Sequence, residues 1–209
     1  MARTDVQLML DVKAGDEASF ELLLCKYRTP LVNFLYRMVR DTAVAEDLAQ
    51  EVFLRVYRAR DQYAPSAKFT TWMFRIATNL ALNSMRDNRH HRMEISMDQT
   101  VDTGEDEHRP LEVPDLAPNV EQELVARCRA ELITKAIHAL PEKQRAAVLL
   151  HKYQELDYDE IAGVLECSES ALKSLLFRAY ETLRVELAPL VSPTVRAERV
   201  PVDRSGQPA

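Results

Sequence analysis

Apolar residues recur three and four positions apart through most of the chain, the spacing of helices that bury one face. The pattern predicts a short helix over Asp5–Lys13, ended by Gly15-Asp16. Asp16 caps a long second helix reaching about Arg40, with Phe20, Leu23, Leu24, Tyr27, Leu31, Phe34, Leu35 and Met38 on its inner face. Pro30 lies inside it, where a kink is expected. Thr42 is the expected cap of a third helix running to about Arg60, with core positions Ala45, Leu48, Ala49, Val52, Val56 and Ala59. A loop over 61–68 leads to a fourth helix that starts at Phe69 or Thr70 and ends near Asn88.

Periodicity then stops. Residues 93–119 are acidic, contain Pro110, Pro114 and Pro118, and read as a linker without fixed structure of its own. Helical spacing resumes at Val120 and runs to Leu140, where Pro141 stops one helix and suits the first turn of the next, which reaches Tyr153. Two more helices are expected over Tyr158–Leu165 and Glu169–Leu187. From 189 onward the chain carries Pro189, Pro193, Pro201 and Pro208 with few apolar residues, and disorder is expected. The fold class is therefore all-α: two small helical domains, 1–92 and 120–188, joined by an acidic flexible linker and followed by a tail, 189–209.

Composition narrows the function. With 4 glycines in 209 residues and long apolar runs at helical spacing, the chain argues against a sandwich or barrel, which need many tight turns. No apolar run approaches membrane-spanning length, so no membrane insertion is expected, and the N-terminus lacks a secretory pattern, which points to the cytoplasm. Cys25, Cys128 and Cys167 are too few and too scattered for a disulfide framework or a zinc site, and are expected as reduced, partly buried thiols. The net charge of -6 is unevenly spread. Residues 93–125 hold 10 acids against the single base Arg109, whereas 1–92 hold 14 bases against 11 acids. One acidic segment thus masks a mildly basic N-terminal half.

Three constellations carry the chemistry. The last two helices, joined by the short turn Glu166-Cys167, read as a helix-turn-helix: Asp157 and Glu160 have capping-box spacing, and Ser168 caps the final helix. That helix turns Leu172, Leu176, Ala179, Leu183 and Leu187 inward, with Leu175 at the edge. Its outward face carries Ser170, Lys173, Ser174, Phe177, Arg178, Glu181 and Arg184. Cations there can meet phosphates or guanine edges, and an exposed ring can touch a thymine methyl group. An ordinary solvated helix face is the plain alternative. On the third helix, Leu54 points away from the core among Asp47, Gln50, Glu51, Tyr57 and Arg58, which suggests a protein contact. Solitary exposed leucines are also common. On the fourth helix, Trp72, Arg75, Asn79, Leu82 and Arg86 form one stripe, with Tyr63, Phe69 and Phe74 nearby. Aromatic rings interleaved with Arg and Asn suit unpaired bases, although Trp72 and Phe69 also have the character of core residues. His90 and His91 are adjacent and read as part of a basic end rather than as metal ligands.

In this order, "EDLAQEVFLRVYR", "FTTWMFRIATNLALN", "LPEKQRAAVLLHKYQELDYDEIAGVL" and "SALKSLLFRAYETLR" resemble the extracytoplasmic-function (ECF) sigma factors, the short branch of the sigma-70 family. The resemblance spans about residues 5–188. It implies that 1–92 is sigma region 2, which docks on RNA polymerase core and opens the minus-ten element, and that 120–188 is region 4, which binds the minus-thirty-five element as duplex. Asp47, Gln50, Glu51, Phe53, Leu54 and Tyr57 match the core-binding helix. Tyr63, Lys68, Phe69, Trp72, Arg75, Asn79 and Arg86 fall in the minus-ten part, with Asn79 where relatives help to hold a flipped base. Ser170, Lys173, Ser174, Phe177, Arg178 and Arg184 fall on the minus-thirty-five reader. The implied partners are the beta-prime clamp and beta flap of the polymerase, promoter DNA and an anti-sigma factor, with the chain a monomer in the holoenzyme. The acidic linker would thread toward the active-site and RNA-exit channels. Leu175 and Tyr180 stand where the family often has Arg, and Glu166 where the turn usually has Gly.

Two other functions are weighed. A free-standing helix-turn-helix regulator with a helical sensor domain would explain the last two helices but leaves the aromatic stripe without a task. An enzyme finds little support: no Gly-rich phosphate loop, catalytic Cys-His or Ser-His-Asp setting or metal-ligand spacing occurs, so neither catalytic residues nor a cofactor or metal are expected.

Overall fold

The computed structural model describes residues 3–65, 68–96 and 120–191, with backbone alone for 90–96, 120–122 and 191. Among these residues all regular structure is helical. The first domain comprises α1 (Asp5–Lys13), α2 (Glu17–Val39), α3 (Thr42–Arg58) and α4 (Phe69–Ser96), with a short 3-10 turn at Arg60–Gln62. The second comprises α5 (Val120–Ala139), α6 (Glu142–Tyr153), α7 (Tyr158–Leu165), α8 (Glu169–Glu186) and the single turn α9 (Ala188–Val191).

The caps explain most boundaries. Asp16 accepts the Ala18 N–H at the head of α2, and Ser168 accepts the Ala171 N–H at the head of α8. Asp157 and Glu160 form the expected reciprocal capping box on α7. For α3 the cap is Asp41 rather than Thr42: the Asp41 carboxylate accepts the Val44 N–H at 2.9 Å, and Thr42 becomes the first helical residue. Helix α4 continues past Asn88 to Ser96, into the segment expected to be linker. No Gly or Pro interrupts 69–96, so nothing in that stretch ends the helix. At the other end, α9 carries regular structure to Val191, past the point where the tail was expected to begin. The rest of the expected linker and tail lies outside the described residues. Of the cysteines, expected to be partly buried, Cys25 and Cys128 are exposed and Cys167 is half-buried.

In the first domain α2 is the hub, its Leu23, Leu31, Phe34, Leu35 and Met38 buried against Val52 and Val56 of α3 and Met73, Phe74 and Ala77 of α4. Phe34 meets Phe74 edge to face, with ring centroids 5.3 Å apart. Burying each such side chain contributes about 1.5–3 kcal/mol. In the second domain α6 occupies the centre. Arg145, Ala146, Ala147, Val148, Leu149 and Leu150 are all buried, the mark of a helix covered on every side. Helices α7 and α8 cover part of α6, and α2 of the first domain covers another part.

Candidate nucleic-acid and protein interfaces

An apolar groove of about 830 Å³ runs between α2 and α3. Phe20, Leu24 and Val32 form one wall; Phe53, Leu54 and Tyr57 form the other, and Gln50 lies at the rim. Leu54 is 48% exposed, as the outward position on the helical face required. Phe53, assigned above to the same contact surface, is instead buried against Phe20, with ring centroids 6.5 Å apart, and shapes the groove from beneath. Arg60 stacks over the Tyr57 ring at 4.3 Å and fixes that end. Asp47 and Gln50 are exposed, and Glu51 pairs with Arg55 one turn on at 2.7 Å. Sequence reasoning missed the α2 wall, because Phe20 and Leu24 fit the core periodicity and gave no sign of lining a groove.

The α4 stripe is present with a change of roles. Arg75, Asn79 and Arg86 are exposed and Trp72 is half-buried. Phe69 and Tyr63, expected at the DNA, are instead buried at 1% and 4% exposure. They flank Trp72 with ring centroids at 6.2 and 5.2 Å and pack against the indole from two sides. Lys13 donates to the Tyr63 carbonyl at 3.1 Å and ties the preceding loop to α1.

Helix α7 lies against this stripe. The Glu160 carboxylate serves both domains. One oxygen accepts the Asp157 N–H of its own helix at 3.1 Å; the other accepts from Thr71 Oγ1 at 3.0 Å and Lys68 Nζ at 3.1 Å. At the far end of α7, Arg75 donates to the Gly163 carbonyl from Nε at 2.9 Å and Nη2 at 2.5 Å. A cation on the last turn of a helix satisfies a carbonyl the helix leaves open and complements its dipole. Behind α4, Arg145 is buried in the seam. Its Nη1 donates to Met38 O of α2 at 2.5 Å, while Nη2 donates to His138 O and Leu140 O of its own domain at 2.5 and 3.2 Å. Arg89 and Glu142 add an ion pair at 2.6 Å.

The outward face of α8 stays open. Phe177 is 67% exposed, and Ser170, Lys173, Ser174, Arg178 and Arg184 are exposed around it. Glu169 and Glu181 pair with Lys173 and Arg184, exposed pairs that a phosphate can replace at small cost. Tyr180 turns away from this face: its hydroxyl lies 2.7 Å from Nδ1 of His151, and burial raises its pKa. Glu166 ends α7 in the left-handed region at φ 52°, where the family usually has Gly.

The family profiles described as Sigma-70 region 2 and Sigma-70, region 4 match residues 23–91 and 130–183. The RNA polymerase sigma-H factor of Pseudomonas aeruginosa is 33% identical over 190 residues, covering 90% of this chain and 95% of that one. The chain belongs to the ECF sigma factors of the sigma-70 family. The ECF RNA polymerase sigma-E factor of Escherichia coli is 30% identical over 188 residues, covering 90% of this sigma factor and 96% of its own length. Two solved structures share the fold. CnrH, in complex with the cytosolic domain of CnrY, has a TM-score of 0.62 at 18% identity, covering 88% of this chain and 97% of that chain. The sigma factor RpoE of Bartonella quintana, in complex with the anti-sigma factor NepR, has a TM-score of 0.61 at 21% identity, covering 81% and 96%. This protein is thus a sigma factor for promoter-directed transcription initiation, and the free-standing regulator is not favoured.

Proposed function

We propose that the groove between α2 and α3 receives the beta-prime clamp of RNA polymerase core, with Asp47, Gln50, Glu51, Leu54 and Tyr57 making the contact and Phe53 shaping its floor. The α4 stripe of Trp72, Arg75, Asn79 and Arg86, with Lys68, engages the opened minus-ten strand. Ser170, Lys173, Ser174, Phe177, Arg178 and Arg184 read the minus-thirty-five duplex, with the second domain near the beta flap. The sigma factor acts in the cytoplasm as one copy per holoenzyme. It catalyses no reaction itself, and an anti-sigma factor restrains it, as the NepR complex of its structural neighbour suggests. No described helix is long and apolar enough to cross a membrane.

The observation that carries this reading is Leu54, a large apolar side chain 48% exposed on the lip of an apolar groove and flanked by exposed polar groups. Leu54→Glu is expected to weaken association with core polymerase at least about 30-fold, the effect of a lost hot spot of roughly 2 kcal/mol. Its melting temperature should stay near that of the parent. Pull-down on immobilised core polymerase, paired with thermal denaturation, reads both quantities. A large stability loss in the free protein, or undiminished association, would remove Leu54 from the interface.

A further inference from the structure

We propose that the polymerase-free chain pairs with a second copy of itself through the first half of α5, the two helices running antiparallel about Cys128. This goes beyond the sigma reading and leaves one copy per holoenzyme untouched.

Helix α5 is packed at one end only. Ala136 and Ile137 are buried, whereas every residue from 123 to 132 is exposed. That exposed stretch is not polar throughout. Leu124 is 62% exposed, Val125 and Leu132 are 46% exposed, and Cys128 is exposed among them. At about 100° per residue, the three apolar side chains fall within about 60° of the Cys128 direction and form one stripe. A helical span this short gains little stability by itself, and an exposed apolar stripe along it marks a face that a partner covers. None of these residues lines the groove between α2 and α3 or belongs to the outward face of α8.

The stripe is complementary to itself, which selects a second copy as the occupant. In a two-fold antiparallel pair centred on Cys128, a residue just after the centre meets one just before it on the other helix. On one flank Leu132 of each copy then meets Val125 of the other. On the opposite flank Glu131 of each copy meets Arg127 of the other, with Leu124 beside them. Arg127 pairs within its own helix with Glu123 at 3.0 Å, an exposed contact exchanged at small cost. Packed helix axes lie about 8–10 Å apart, and each Cα sits about 2.3 Å from its axis. The two Cys128 Cα atoms would therefore be about 3.4–5.4 Å apart, overlapping the range a disulfide spans. The contact is small, so the dimer is weak, with a Kd on the order of 10–100 μM.

Sedimentation velocity of the full-length chain under reducing conditions should show a concentration-dependent monomer–dimer equilibrium. Leu132→Glu, at an exposed position, should weaken it at least about tenfold and leave helix content unchanged. Arg127→Glu and Glu131→Arg should each weaken it as well, because like charges then face each other. An equimolar mixture of these two variants should restore dimers, since every charge then meets its opposite across the pair. A defect confined to one helix would not be rescued by mixing. A Cys25→Ser, Cys167→Ser chain keeps Cys128 as its one thiol. With diamide it should form a covalent dimer, the oxidant taking up two electrons and two protons as the S–S bond forms. A Cys128→Ser, Cys167→Ser chain, which keeps the exposed Cys25, should not. A chain monomeric at every concentration, a dimer indifferent to Leu132→Glu, a mixture no better than its components, or equal cross-linking through Cys25 would each overturn the pairing. A monomer whose hold on core polymerase falls with Leu132→Glu would overturn it too, and assign the stripe to the polymerase.

Discussion

Glu166 holds a left-handed backbone at φ 52°, which costs a side-chain-bearing residue about 1 kcal/mol relative to Gly. Its carboxylate lies 4.0 Å from Arg75 Nε, an exposed pair of little worth. Glu166→Gly is therefore expected to raise the unfolding free energy by about 1 kcal/mol in urea titration. A fall would mean that the carboxylate matters more than the backbone angle. In the sequence the position stood out only through the family resemblance, which puts Gly there; the left-handed angle itself is a finding of the structure. The orientation of Tyr180 was not legible either. A helical wheel places it at the rim of the DNA face, but the hydroxyl finds His151, 29 positions away, and no local pattern encodes that partner.

At the scale of the element, α8 is the unit proposed to read the minus-thirty-five duplex. Its apolar side is fully used, with Leu172, Leu176, Ala179 and Leu183 buried, so Phe177 on the opposite side has no structural duty. Phe177→Ala is expected to leave stability unchanged and to cost about 1–3 kcal/mol at one thymine-bearing position of the minus-thirty-five site. Holoenzyme binding to matched and mismatched sites reads this, and an unaltered preference would assign the reading to another element. Helices with strong caps were legible to within a residue: α1, α7 and α8 begin where Asp5, Tyr158 and Glu169 predicted. The end of α4 was not. Acidic composition suggested linker, but only Gly and Pro stop a helix decisively, and the first of either after Ser96 is Gly104. The amphipathic stripes of α3 and α4 were legible as stripes, whereas the division of their aromatics into contact and support was not. Burial of Phe53, Phe69 and Tyr63 depends on which helix packs beside them.

For the whole molecule, the seam between the domains is the feature that no stretch of sequence announces, since contacts such as Arg145 to Met38 span 107 positions. Arg145 gives donors to three carbonyls from a buried site, and its Nε has no hydrogen-bond partner. Truncation strands those carbonyls. Arg145→Ala should lower the unfolding free energy by about 3 kcal/mol. Denaturant unfolding of the full chain measures it, and a loss below about 1 kcal/mol would show that water replaces the guanidinium without difficulty. The seam also bears on how this factor fares against others that seek the same enzyme. For a partner that binds only a chain whose domains have parted, apparent affinity scales with the fraction parted, so one molecule in about ten would mean about tenfold weaker binding. Small changes at Lys68, Arg75 or Glu160 would then shift the concentration at which the factor captures its share of polymerase, without altering a single residue that touches the enzyme.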